Sequence, residues 1–422
     1  PLLKYYHPLR SIFALPLYYL FNDAQIATYV AMLLIYLLSF IVIWYIGKTQ
    51  DFSKIKRIAF FVFFFANPIF IGYLRVGRHA EILGFFMMLL LFLIIFYYQY
   101  KRLDKKFLWF IPVYSALLLS HISVFLVSSL LVLSLFFIKN LREKIYIALA
   151  GIISLALTAF LWIPFMLNKN NTYINNFYGL QRTLLDTASY NWGDKLASYV
   201  VPTIFLVVAY IYLKENKKEW KFYLVPIVLG ILFLTRILAF IPYLNRPVPD
   251  TYNLFFLFLA IYMFMRLNIE KLKIKKLIYA LLIIVPILAI IFSSLVIPWF
   301  IGHTQGDEDT IKVFNYVNGT LWILNSRGYQ GPLYSYSAVC CNITTPAGYG
   351  YESVPNGVRE IYINVDKYYN NKQYTELLDT LRYLKVEEVM SYGENCDILI
   401  KKFGLVQKIK IGDVCLLYIK ND

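Results

Sequence analysis

IATYVAMLLIYLLSFIVIWYIGKTQDFSKIKR, residues 26–57, runs apolar for about twenty residues and then turns abruptly basic at Lys48, Lys54, Lys56 and Arg57. A helix rising about 1.5 Å per residue needs an apolar run of that length to cross the hydrocarbon of a bilayer. Similar runs recur near 58–74, 82–98, 108–120, 122–138, 145–165, 197–213, 222–241, 252–267 and 277–299. With 26–46 they predict about ten spans, those around Ser120-His121 being short enough for a hairpin or a broken helix. Composition agrees: 59% of the 422 residues are hydrophobic and 16% charged, and mean hydropathy is +0.58. That profile excludes an ordinary soluble domain.

The basic flank of the first run is part of a pattern. Loops 47–57, 99–107, 139–144, 214–221 and 266–276 hold 20 Lys and Arg against six Asp and Glu, which accounts for most of the net charge of +16. Short loops rich in Lys and Arg on alternate sides are the positive-inside signature of a cytoplasmic face, so the basicity needs no nucleic-acid partner. Residues 1–25, 75–81, 168–196, 243–251 and 298–422 then face outward. The cysteines Cys340, Cys341, Cys396 and Cys415 and the N-x-S/T triplets at Asn170, Asn318 and Asn342 all fall in those outer segments, as disulfides and glycosylation require. The first span runs from outside to inside, so a preceding membrane helix and the start of an outer loop are expected ahead of Pro1.

Three regions follow. Residues 1–25 are aromatic and proline-punctuated, an interfacial segment on the outer face. Residues 26–300 form the helical membrane domain, with Trp44, Trp109, Trp162, Trp220 and Trp299 near predicted span ends as interfacial anchors. Residues 301–422 change character and predict an extracytoplasmic α/β domain. Its strands are expected at Leu321–Leu324, Glu360–Val365 and Val386–Ser391, a helix at 373–384, a second short helix, and a hairpin of Leu405–Ile411 with Val414–Ile419 turning at Gly412-Asp413. Four cysteines allow three pairings, with one or two disulfides expected and adjacent Cys340 and Cys341 poorly placed to bond each other.

Ionisable residues at membrane depth are costly and mark candidate sites. The run Arg75-Val-Gly-Arg78-His79-Ala-Glu81 enters the third span, where a helix N-terminus adds partial positive charge. Arg75, Arg78 and His79 are candidate phosphate ligands, and Glu81 is a candidate acid/base that could equally be paired to Arg78. His121, in LLLSHIS, lies at an outer turn and is a second catalytic candidate. Arg236 interrupts the apolar run LFLTRILAFIPYL and needs an anionic ligand or a buried partner, for which Asp250 and Arg246 are placed. The His, Asp and Glu constellation admits a divalent metal, but no metal-ligand set is assigned. Walker A, GxSxG and HExxH motifs are absent from the sequence.

Several of these stretches resemble the polytopic C-type (GT-C) glycosyltransferases. Tyr6-His7-Pro8-Leu9 leading into LYYLF resembles the end of their first outer loop. Asn67-Pro68 with GRHAEILGFFMMLL resembles a later helix passage, and LLLSHIS their Leu-Thr-His turn. The tail, with LRYLKVEEVMSYG and Phe403-Gly404 before the hairpin, is similar to an archaeal membrane family labelled 6-pyruvoyl-tetrahydropterin-synthase-related. The resemblance implies sugar transfer from a polyprenyl-phosphate-linked donor to an acceptor at the outer face of the plasma membrane. It also places the usual catalytic acid ahead of Pro1. Membrane lipids and the polyprenyl-phosphate sugar are the expected partners, with an extracellular protein or glycan for the tail. Two alternatives stand beside this reading: a non-catalytic envelope scaffold, and a transporter or lipid flippase.

Overall fold

A computed structural model describes residues 8–75, 78–167, 192–267, 284, 305–324, 337, 341–346 and 356–419. The chain divides into two compact units, residues 1–166 with 175–300 and residues 167–174 with 301–422.

The first unit is helical. Helix α1 (Pro8–Phe21) precedes α2 (Ala24–Thr49), whose first turn is capped by the Asp23 carboxylate accepting from the Ile26 N–H at 2.8 Å. Then come α3 (Lys54–Phe65), α4 (Pro68–Arg75), α5 (His79–Tyr98), α6 (Phe110–Ser120), α7 (Ile122–Ile138), α8 (Leu141–Leu157), α9 (Ala159–Leu167), α10 (Trp192–Glu215), α11 (Trp220–Leu234) and α12 (Pro249–Arg266). Among the described residues, three stretches, Ile26–Thr49 in α2, His79–Tyr98 in α5 and Leu196–Glu215 in α10, are long and apolar enough to cross a bilayer.

Three expected spans are interrupted rather than continuous. The run 58–74 divides into α3 and α4 because Pro68 disfavours helical backbone at the residue before it. Asn67 then caps the new helix, accepting from the N–H groups of Ile69 and Phe70 at 2.9 and 3.0 Å. The run 145–165 breaks at Thr158, whose hydroxyl donates back to the Ser154 carbonyl at 2.9 Å. The run 222–241 stops at Leu234, beyond which Arg236 takes left-handed backbone at φ 65°. The expected span 277–299 lies outside the described residues apart from residue 284.

Helix α12 is buried along almost its whole length. Phe258 meets Phe60 of α3 and Phe92 of α5 with centroids 5.1 Å apart in each case, and Tyr262 stacks on Phe96 at 4.0 Å. Phe256 stacks on Phe205 of α10 at 5.2 Å. Close ring packing of this kind holds α12 against its neighbours. Each aromatic pair contributes about 0.5–1.5 kcal/mol beyond its buried area.

At the end of the bundle carrying the basic loops, Arg266 donates to both Glu219 oxygens at 2.9 Å. Glu219 also accepts from the Tyr212 hydroxyl at 2.7 Å and the Gln99 amide at 3.3 Å. One buried carboxylate thereby ties together the ends of α5, α10 and α12 and the turn before α11.

The second unit holds α13 (Gln305–Phe314), α14 (Asn356–Asn370), α15 (Tyr374–Tyr383) and α16 (Glu394–Phe403), with strands β1 (Leu321–Ile323), β2 (Glu388–Tyr392), β3 (Val406–Ile411) and β4 (Val414–Tyr418). Sheet order is β1-β2-β4-β3, with β1 parallel to β2 and the other pairs antiparallel. Gly412 turns the β3–β4 hairpin at φ 55°, the positive φ that two-residue hairpin loops demand. Residues Glu360–Val365, expected as a strand, are helical within α14. Tyr362 and Val365 are buried and Tyr369 packs on the same core, a spacing of three and four that belongs to a helix face.

Candidate functional site

The ends of α5, α7 and α12 meet in a knot of charge. Arg78 precedes the first turn of α5, its N–H bonded to the Tyr73 carbonyl at 2.9 Å and its guanidinium 5.0 Å from the Tyr73 ring centre. Its Nη1 lies 3.8 Å from Glu81 Oε1 and 4.0 Å from Asp250 Oδ2. His121 Nε2 lies 3.6 Å from the same Glu81 oxygen. The side chains of Glu81, His121 and Asp250 are only 15–16% exposed.

Local sequence explains each placement. Ser120 closes α6 by donating its hydroxyl to the Ala116 carbonyl at 2.6 Å. His121 is then extended, at φ −165°, between α6 and α7. Gly84 lets α5 approach this corner, since a Cβ there would stand 3.0 Å from His121 Cβ and 3.2 Å from Val124 Cγ2. Pro249 starts α12 with preset φ and no N–H to satisfy, which puts Asp250 in its first turn. Glu81 likewise sits in the first turn of α5. Helix N-termini favour negative charge, so both carboxylates and any added anion share one electrostatic setting.

The three ion contacts just given are long. At 3.6–4.0 Å they are ion contacts longer than hydrogen bonds. The Arg266–Glu219 fork, by contrast, closes both bonds at 2.9 Å.

The other candidates are dispersed. His79 lines a small concavity with Arg10, Thr28, Met32 and Leu83, its Nδ1 buried with no hydrogen-bond partner among the described residues. Arg236 lies 3.9 Å over the Tyr199 ring and donates to the Ser198 carbonyl at 3.4 Å. Asp250, expected near Arg236, lies 4.0 Å from Arg78. Arg75 ends α4, and its side chain lies outside the described residues. Asn318 and Asn342 are exposed and line one concavity of the second unit with Glu387. Asn170 and Cys340 lie outside the described residues. Cys396 and Cys415 are joined as a disulfide, and Cys341 is half-buried against the core of the second unit. Among the described residues, no three His, Cys, Asp or Glu stand together as a metal site.

No protein-family model and no curated protein matches the chain.

Two contributors to the knot, and one neighbour on α12, carried no motif. Tyr73 and Gly84 are ordinary in sequence, and their roles come from which helix they approach. Asn253, one turn along α12 from Asp250, is fully buried, and neither of its amide atoms has a hydrogen-bond partner among the described residues. An Asn inside an apolar run was the available signal. Such an amide is a ready donor and acceptor for a hydroxyl or a water.

Proposed function

We propose that this chain is a multi-pass protein of the plasma membrane that transfers a sugar from a polyprenyl-phosphate-linked donor at the outer face, in the manner of the C-type glycosyltransferases it resembles. About ten spans and an extracytoplasmic C-terminal unit belong to the same proposal. Their support is the sorting of Lys and Arg onto alternate loops and the Cys396–Cys415 disulfide, which suits an oxidising compartment.

The observation that carries the catalytic reading is the convergence of Arg78, Glu81, His121 and Asp250 at the helix ends. In the proposed step the acceptor hydroxyl oxygen bonds to the anomeric carbon as the bond from that carbon to phosphate oxygen breaks. The hydroxyl proton passes to Glu81 or Asp250, and the leaving polyprenyl phosphate takes the bonding pair. Arg78 and the α5 N-terminus offset the charge that develops on the phosphate, and Asn253 can orient the acceptor.

The test is transfer of label from polyprenyl-phosphate hexose to an oligosaccharide acceptor by the protein in liposomes. Glu81→Gln or Asp250→Asn should lower the rate about 100-fold or more. Undiminished transfer in both variants, or none in the wild type, would remove the reading. A second reading, a non-catalytic membrane scaffold, is favoured by one observation: the charges of the cluster already offset one another. It predicts no binding of polyprenyl phosphate and a loss of stability in the same variants.

A further inference from the structure

A groove of about 390 Å³ runs along the exposed side of α10, walled by Leu206, Tyr210, Leu213 and, from α11, Ile227. Its floor is Ala209, only 1% exposed, and Lys214 closes one end. From Leu206 to Lys214 the helix rises about 12 Å, close to the roughly 15 Å of hydrocarbon in one leaflet. The span Leu196–Glu215 is apolar enough to cross a bilayer, so this side of α10 meets acyl chains rather than water.

The chemistry at the mouth of the groove is one-sided. Lys214 is exposed in the last turn of α10, and Lys217, Lys218 and Lys221 follow, also exposed. Of the two carboxylates in this stretch, Glu219 is buried and engaged by Arg266, which leaves Glu215 alone against four ammonium groups. Tyr210 and Trp220, both at least half exposed, are the side chains that settle at headgroup level.

We propose that this groove is a binding site for one anionic glycerophospholipid, an acyl chain lying over Ala209 and the headgroup phosphate against Lys214. The ligand is anionic because Lys214 and the exposed lysines that follow it in sequence outnumber the available carboxylate, and a lipid because the walls below Lys214 are carbon apart from the Tyr210 hydroxyl. The inference is independent of the transferase reading.

The experiment is native mass spectrometry of the full chain in non-ionic detergent, titrated with phosphatidylglycerol or phosphatidylcholine of identical acyl chains. The wild type should retain one phosphatidylglycerol about fivefold more tightly than phosphatidylcholine, the size expected of one lysine beside an anionic headgroup. Lys214→Ala should lose that preference, and Lys106→Ala, exposed in another basic loop, should keep it. Ile227→Trp, which fills the groove, should lose both adducts with an unchanged melting temperature. Equal retention of the two lipids by the wild type, an unchanged preference in Lys214→Ala, or an equal loss in Lys106→Ala would overturn the proposal.

Discussion

Gly84 shows how a single side chain governs the charged knot. Its missing Cβ is what lets α5 reach the corner at His121, because the nearest carbons there leave only 3.0–3.3 Å. Gly84→Val should therefore part α5 from α7 and destabilise the protein by about 1–3 kcal/mol, measured as a lower melting temperature in detergent. If the knot is the reacting centre, transfer should fall in the same variant. Tyr362 offers a test in the second unit. Burial raises its pKa above the usual tyrosine range, and its hydroxyl donates to the Pro346 carbonyl. A raised folded-state pKa favours the fold while the phenol is protonated, so this contribution is present below about pH 10 and fades as pH climbs past it. Alkaline unfolding of the wild type should show that loss, and Tyr362→Phe should flatten it. Arg78, Glu81 and His121 were visible in the sequence as charges beside apolar runs. The Arg78–Glu81 pairing was an open alternative there too, whereas the approach of His121 to Glu81 and of Asp250 to Arg78 was not legible, because only helix packing brings residues so far apart in the chain together.

Among elements, the basic-loop end of the bundle rests on Glu219. Its side chain is 9% exposed and that of Arg266 18%, and breaking a buried pair leaves a charge without compensation. Glu219→Ala should cost about 3 kcal/mol, seen as earlier thermal unfolding, whereas Glu215→Ala, on an exposed residue of the same stretch, should change little. In the second unit the Cys396–Cys415 bridge joins α16 to β4 across a sequence separation of 19. Replacing both cysteines by Ser should lower the stability of that unit by about 3 kcal/mol, read by denaturant unfolding. The hairpin was legible because glycine turn chemistry and alternation are local signals. Residues Glu360–Val365 misled because Ile, Tyr and Val favour strands, and only the position of the core selected the helical period that buries Tyr362 and Val365.

For the molecule as a whole, the proposed orientation makes a direct prediction. Expressed in a eukaryotic secretory pathway, the chain should gain glycans at exposed Asn318 and Asn342, detected as a mobility shift reversed by a glycosidase and abolished in the double Gln variant. An unshifted wild type would count against an outward C-terminal unit. Composition and periodicity alone determined that this is a membrane-associated helical protein with a separate mixed tail, since apolar run length, charge sorting and turn residues are local properties of the chain. Tertiary structure decided where apolar runs break, which helix is central, and which distant charges share a corner. Those outcomes depend on contacts between residues remote in sequence, where packing decides among segments of nearly equal hydrophobicity.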